Sequence, residues 1–122
     1  MEEERCSVGL LGWAQATAAA LNVLTDEACA EVAKPEWWSD EELKALSARV
    51  VRAAPDDMQA NQMRATVLLG QCVAWEAGPR SAAELMEAAT HYEWAAALHP
   101  APAMKARFAG RADVCRSQAE AL

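Results

Sequence analysis

KALSARVVRAAP (residues 44–55) and THYEWAAALHP (residues 90–100) are two Ala-rich, amphipathic stretches that each end in a proline. The two prolines stand 45 residues apart. A shift of the chain by that interval also aligns Ala20 with Ala65 and Gly110, Leu24 with Leu69 and Val114, and Glu31 with Glu76. Stacked helical hairpins leave repeats of this kind, because each hairpin buries an apolar face on its neighbour. The spacing therefore predicts an array of helical hairpins.

The composition supports the same fold class. The chain has 122 residues, which is the size of one domain, and 53% of them are hydrophobic. Only five glycines and five prolines interrupt it, and alanine is abundant. We predict an all-α fold in which antiparallel helical hairpins stack as a short α-solenoid of five or six helices. One helical-repeat domain would then span residues 1–122.

Start and stop signals divide this domain into helices. Ser39 and Ser81 are each followed three residues later by glutamate, which is the capping-box pattern of a helix start. The signals place helices at about residues 7–24, 40–54, 57–76, 82–98 and 103–120. Hairpin one would cover about 7–54 and hairpin two about 57–98, followed by a C-terminal capping helix. Residues 25–33 form either a separate short helix or a continuation of the first.

Apolar spacing predicts which faces of these helices are buried. The third helix carries apolar residues on two faces, which predicts a position in the middle of the array, between the two hairpin layers. The stripes expected to face the core at three-to-four spacing are Leu11, Ala14, Ala18 and Leu21 in the first helix, Leu85, Ala88, Tyr92 and Ala95 in the fourth, and Met104, Phe108, Cys115 and Leu122 in the fifth.

Charge and cysteine usage exclude several classes of function. The net charge is −7, which argues against a nucleic-acid partner. The four cysteines form no C-x-x-C pair and there are only two histidines, so no metal site, redox motif or cofactor is expected. Free buried thiols are typical of a reducing, intracellular compartment, and the cytoplasm is favoured unless a transit peptide has been removed. The apolar stretch at 8–24 is too short and too polar to span a membrane, although the chain could dock on a membrane complex.

The run Ala88, Tyr92, Ala95, Pro100 has the spacing of the second helix of a tetratricopeptide repeat, which the chain resembles over about residues 39–115. The period of 45 is longer than the 34 residues of that family. The resemblance implies that the first helix of each hairpin lines a groove that binds a protein or peptide. The positions that match groove-facing sites of the family are Gln62, Thr66, Leu69, Arg107 and Arg111. Some members hold a peptide carboxylate with basic and asparagine residues, and here Gln62, Thr66, Met104 and Phe108 replace them.

A second candidate binding surface is the loop that contains Trp37 and Trp38, because adjacent loop residues do not both point into one core. Tryptophans commonly seal hairpin ends, and they also serve as binding anchors. Arg107 and Arg111, one turn apart, either are solvated charges or meet an acidic surface, such as that of another copy in an end-to-end stack.

We interpret the chain as a non-enzymatic interaction module, an adaptor or a subunit of a larger assembly. The alternative is a small helical enzyme or ligand-binding protein with a pocket near Tyr92, Trp94, Trp75 and His91. His91 and His99 are interpreted as cations near the C-terminal end of the fourth helix, where they would suit the helix dipole.

Overall fold

The structure, a computed structural model, describes residues 2–24, 39–70 and 77–122. These ranges contain helices and no strand: α1 (Glu2–Leu24), α2 (Asp40–Ala53), α3 (Met58–Leu69), α4 (Ala82–Leu98) and α5 (Pro102–Ala121). The predicted all-α class is confirmed. The helix start expected near residue 7 lies at Glu2. The question of a separate helix at residues 25–33 falls outside the described residues.

Helix starts follow the predicted capping chemistry. Ser81 accepts a hydrogen bond from the backbone N–H of Glu84, whose side chain accepts one in return from the N–H of Ser81. Ser39 caps α2 by accepting from the N–H of Glu42, and Asp57 caps α3 by accepting from the N–H of Ala60. Each cap satisfies a backbone donor that has no partner inside its helix.

Helix α3 lies among the other helices. It packs against α1, α2 and α4, and α5 packs against α4. Its two apolar faces enter different hydrophobic clusters, because Met63 and Val67 join α1 and α2 whereas Ala65 and Leu68 join α4 and α5. The central position predicted for the third helix is therefore confirmed.

The predicted C-terminal end of the third helix is wrong. Helix α3 ends at Leu69 rather than near residue 76, because Gly70 adopts a left-handed conformation with φ of 66°. Glycine takes this conformation at no steric cost and commonly ends helices. The Arg80 guanidinium then approaches so closely that a Cβ at residue 70 would lie 2.8 Å from one of its nitrogens.

The predicted buried stripes are confirmed on α4 and in part on α1 and α5. Leu85, Ala88, Tyr92 and Ala95 are all buried. Leu11 is exposed, and Ala14 is the first buried residue among residues 9–23 of α1. Leu122 is exposed because it lies beyond the end of α5. The inward stripe of α5 consists of Phe108, Ala112, Cys115 and Ala119.

The 45-residue register is not reproduced in burial. Ala65 is fully buried, whereas Ala20 and Gly110, with which it aligns, are exposed. Gly110 is exposed because α5 turns the face that contains Phe108 and Ala112 toward α4. Both repeat prolines do lie just beyond a helix end, at residues 55 and 100. No helix in the described part of the chain is long and apolar enough to cross a bilayer.

Candidate partner-binding surface

Tyr92 on α4 connects α3 and α5. Its hydroxyl lies 3.1 Å from the Thr66 hydroxyl, and its ring stacks on Phe108 with 6.1 Å between the ring centroids. The Arg111 guanidinium lies over the same ring, 5.8 Å from its centroid, within cation–π range. Thr66 and Arg111, two of the predicted groove residues, are therefore brought together through a buried aromatic side chain.

Burial raises the pKa of Tyr92, and the Thr66 hydrogen bond and the Arg111 charge oppose this effect without reversing it. The phenol is consequently neutral at physiological pH and can share a hydrogen bond with Thr66 in either direction. Tyr92 is nearly inaccessible, so it shapes the surface from beneath. The groups that solvent reaches are Thr66 and Arg111, which are half-buried.

The four basic residues of α5 divide into two pairs. Lys105 donates hydrogen bonds to the carbonyl oxygens of Ala96 and Ala97, and Arg116 forms ion pairs with acidic side chains. Arg107 and Arg111, in contrast, pair with no carboxylate within the described ranges. They provide two cations one helical turn apart on a protein whose net charge is −7.

The remaining predicted groove residues continue this surface along α3. Gln62, Thr66 and Leu69 follow one another at spacings of four and three, so they share a face of the helix. All three are half-buried, and Leu69 packs against the cluster that contains Phe108. Trp37 and Trp38, the second predicted binding surface, lie outside the described residues.

A polar network that the sequence did not indicate crosses from α2 through α3 to α4. Arg64 donates to the Lys44 carbonyl and the Ser47 hydroxyl on α2, and its Nε donates to Glu87 on α4 at 2.9 Å. Burial acts to raise the pKa of Glu87, but the hydrogen bond and charge of Arg64, together with His91, lower it overall. Spacing could not reveal this network, because Arg64 and Glu87 are 23 residues apart.

His91 belongs to the same network, and its interpretation as a cation near the helix end is wrong. Asn61 donates to the carbonyls of Pro55 and Asp57, so its side-chain oxygen faces His91 Nδ1 at 2.8 Å and fixes that nitrogen as the donor. Burial lowers the pKa of His91, against the opposing effect of Glu87. His91 also lies in the middle of α4 rather than near its end.

His99 follows the end of α4, as the sequence suggested. Its Nδ1 lies 3.0 Å from the backbone nitrogen of Ala101, whose N–H donates a hydrogen bond to it. Its ring packs beside Phe108.

Of the residues named for an alternative pocket, the three that the structure describes do not come together. Tyr92 faces the core, whereas Trp94 lies on the opposite side of α4 and is 53% exposed. His91 is held by Asn61 and Glu87, and Trp75 lies outside the described residues. In the part of the chain that the structure describes, no three His, Cys, Asp or Glu side chains are arranged to hold a metal ion.

Comparison with known protein families, curated proteins and solved structures finds no match for this chain. The likeness to tetratricopeptide repeats therefore rests on the residues quoted for it, Ala88, Tyr92, Ala95 and Pro100. It stays a prediction.

Proposed function

We propose that the chain is a non-enzymatic protein-interaction module that binds an acidic segment of a partner protein on the surface formed by α3 and α5. The observation that carries this proposal is the position of Arg107 and Arg111. They are cations without a carboxylate partner among the described residues, and Arg111 lies over the ring of Tyr92, whose hydroxyl contacts Thr66. Complementary charge steers such encounters and favours acidic partners over basic ones.

Each part of the surface has a separate role in this proposal. Arg111 is held over the Tyr92 ring, so it is positioned before the partner arrives and loses less side-chain freedom on binding. Arg107 is exposed and would contribute mainly to the rate of association. Leu69 and Gln62 offer apolar and amide contacts along α3 for the rest of the segment. If α3 and α5 act as first helices of tetratricopeptide-like hairpins, this surface is the groove that the resemblance implies.

The test is binding of fluorescently labelled Asp- and Glu-rich peptides, measured by anisotropy at two salt concentrations. Charge reversal of both groove arginines (Arg107→Glu with Arg111→Glu) is expected to weaken binding by about ten-fold or more and to reduce its salt dependence. The matched control, Arg49→Glu with Arg52→Glu, reverses the charge of two arginines that are exposed on α2. If the control weakens binding equally, the effect is one of net charge and the proposed surface is wrong.

The loop variant Trp37→Ala with Trp38→Ala, measured in the same assay, tests the second predicted surface. An indole that anchors a partner typically contributes about 2 kcal/mol or more to binding. A loss of that size in the loop variant, with none in the arginine variant, would transfer the proposed site from the α3–α5 surface to the loop.

A further inference from the structure

No other helix among the described residues covers the outer face of α4, and this face carries two large apolar side chains, Met86 and Trp94, on either side of Thr90. Seven residues on the side opposite Tyr92 are all exposed: Ala83, Met86, Glu87, Thr90, Glu93, Trp94 and Ala97. Met86 and Trp94 are 46% and 53% exposed, although they are among the larger hydrophobic side chains of the protein. Large apolar groups grouped on one helix face commonly mark an interaction surface.

This face has a pattern that is symmetric about Thr90. Alanine occurs seven residues before and after Thr90, a large apolar residue four before and after, and glutamate three before and after. A two-fold axis through Thr90 would therefore place Met86 of one copy against Trp94 of another, and the reverse. Contacts between the same patch on two copies require this kind of self-complementarity. A methionine sulfur against an indole ring is also a favourable contact.

The charges at the edge of the face are compatible with the same pairing. The two-fold axis would place Glu87 near Glu87 of the second copy at one edge and Glu93 near Glu93 of the second copy at the opposite edge, which would be repulsive if the carboxylates were unpaired. Glu87 instead accepts a hydrogen bond from Arg64, and Glu93 forms an ion pair with Arg116. Each edge of the contact would then contain two carboxylates and two guanidinium groups, so like-charge repulsion is offset.

We propose that the outer face of α4 binds the same face of a second copy of this chain, with the two helices antiparallel and Thr90 on the two-fold axis. The occupant is a second copy rather than a different protein because the pattern is symmetric about one residue and its charges are already balanced within the chain. The contact is independent of the α3–α5 surface.

The dimer is expected to be weak. Helix α4 has 17 residues and is therefore about 25 Å long. A contact restricted to one such face buries less than the ~1,600 Å² of a standard stable interface. We expect a dissociation constant of roughly 10 µM to 1 mM, a range that sedimentation equilibrium can measure.

The first test measures self-association of the full chain by sedimentation equilibrium across that range. The wild type is expected to pass from monomer to dimer, and Thr90→Arg to weaken the dimer at least ten-fold, because two guanidinium groups would meet on the axis. Trp94→Ala should weaken it as well. The control Ser117→Arg adds the same charge at an exposed position on α5 and should dimerise like the wild type. Circular dichroism checks that every variant remains folded.

The second test uses the symmetry itself. Only a residue on the two-fold axis meets its own counterpart, so Thr90→Cys should give a disulfide-linked dimer under mild oxidation, with the bond between the two introduced thiols identified by mass spectrometry. Ser117→Cys should not. A wild type that stays monomeric to ~1 mM, a dimer that Thr90→Arg leaves intact, or no disulfide from Thr90→Cys would each overturn the proposal.

Discussion

Replacing Arg80 with alanine is expected to cost about 2–4 kcal/mol of the free energy of unfolding. The guanidinium is only 7% exposed and forms two short hydrogen bonds, of 2.6 and 2.7 Å, to the two carboxylate oxygens of Asp40. It also donates to the carbonyls of Val67 and Leu68 in the last turn of α3 and to the Gly78 carbonyl. One side chain therefore connects the start of α2 to the end of α3.

The magnitude follows from what the substitution leaves behind. Removing one partner of a buried ion pair typically costs about 3–5 kcal/mol, because the other charge remains buried without compensation. Asp40 is 16% exposed and keeps a hydrogen bond from the Gly78 N–H, and Lys44 lies 3.8 Å away, so we expect a smaller loss. The two helix-end carbonyls lose a charged donor, which adds to the cost.

The assay is urea unfolding followed by far-ultraviolet circular dichroism, with the free energy and its urea dependence fitted for each variant. The control Arg116→Ala removes two ion pairs, to Glu93 and Asp113, whose arginine is 35% exposed, and it should cost less than about 1 kcal/mol. Arg80→Lys keeps the charge but not the two-pronged geometry and should fall between the two. If Arg80→Ala costs no more than Arg116→Ala, the reasoning about this ion pair is wrong.

Three other outcomes follow from single residues. Gly70→Ala should lower the free energy of unfolding by about 1–3 kcal/mol, because its φ is 66° and the new Cβ meets Arg80; urea unfolding would contradict this if the variant matched the wild type. Burial raises the pKa of the Cys115 thiol to about 11, so alkylation should be slow until the protein unfolds, and the stability that the neutral thiol contributes should be lost between pH 9 and about 11. Burial lowers the pKa of His91 below 6.5, so its contribution to stability is present above that pH and declines below it; a ring titration by NMR at or above 6.5 would refute this.

Local signals in the sequence were enough to predict most helix ends and the inward face of α4. The serine and glutamate of the Ser81 cap are three residues apart, and Leu85, Ala88, Tyr92 and Ala95 repeat at helical spacing, so each pattern lies within one element. The two apolar faces of α3 also predicted its contacts on both sides. These patterns depend on helix geometry alone and need no knowledge of the tertiary contacts.

Contacts between distant residues account for what the sequence did not reveal. Asp40 and Arg80 are 40 residues apart. Nothing in the sequence distinguishes Asp40 from the other acidic residues, 18 in all, as the partner of Arg80. The end of α3 was misplaced for the same reason. An isolated glycine in an apolar run is compatible with a continuing helix, and neither the left-handed φ of Gly70 nor the approach of Arg80 is visible in the sequence.

The residues of the candidate surface on α3 were selected only through the family resemblance, whereas spacing and charge also pointed to Arg107 and Arg111. That resemblance selected Thr66 and Arg111 from positions 45 residues apart, and the structure connects them through Tyr92. Spacing alone places Lys105 and Arg116 on other faces of α5 than Arg107 and Arg111, but the partners of Lys105 and Arg116 depend on the tertiary contacts.

The two proposals use opposite sides of α4. Tyr92 faces inward and supports Thr66 and Arg111, whereas Trp94 is only two residues further along and points outward. Two residues rotate the position on an α-helix by about 200°, so contact of a second copy with Trp94 would not cover the arginine pair. A dimer formed at Thr90 would therefore display two copies of the α3–α5 surface, and a partner with two acidic segments would bind it more tightly than a single peptide does. Because the faces are separate, loss of self-association in Thr90→Arg would leave binding of a single peptide unchanged, and each proposal can fail without the other.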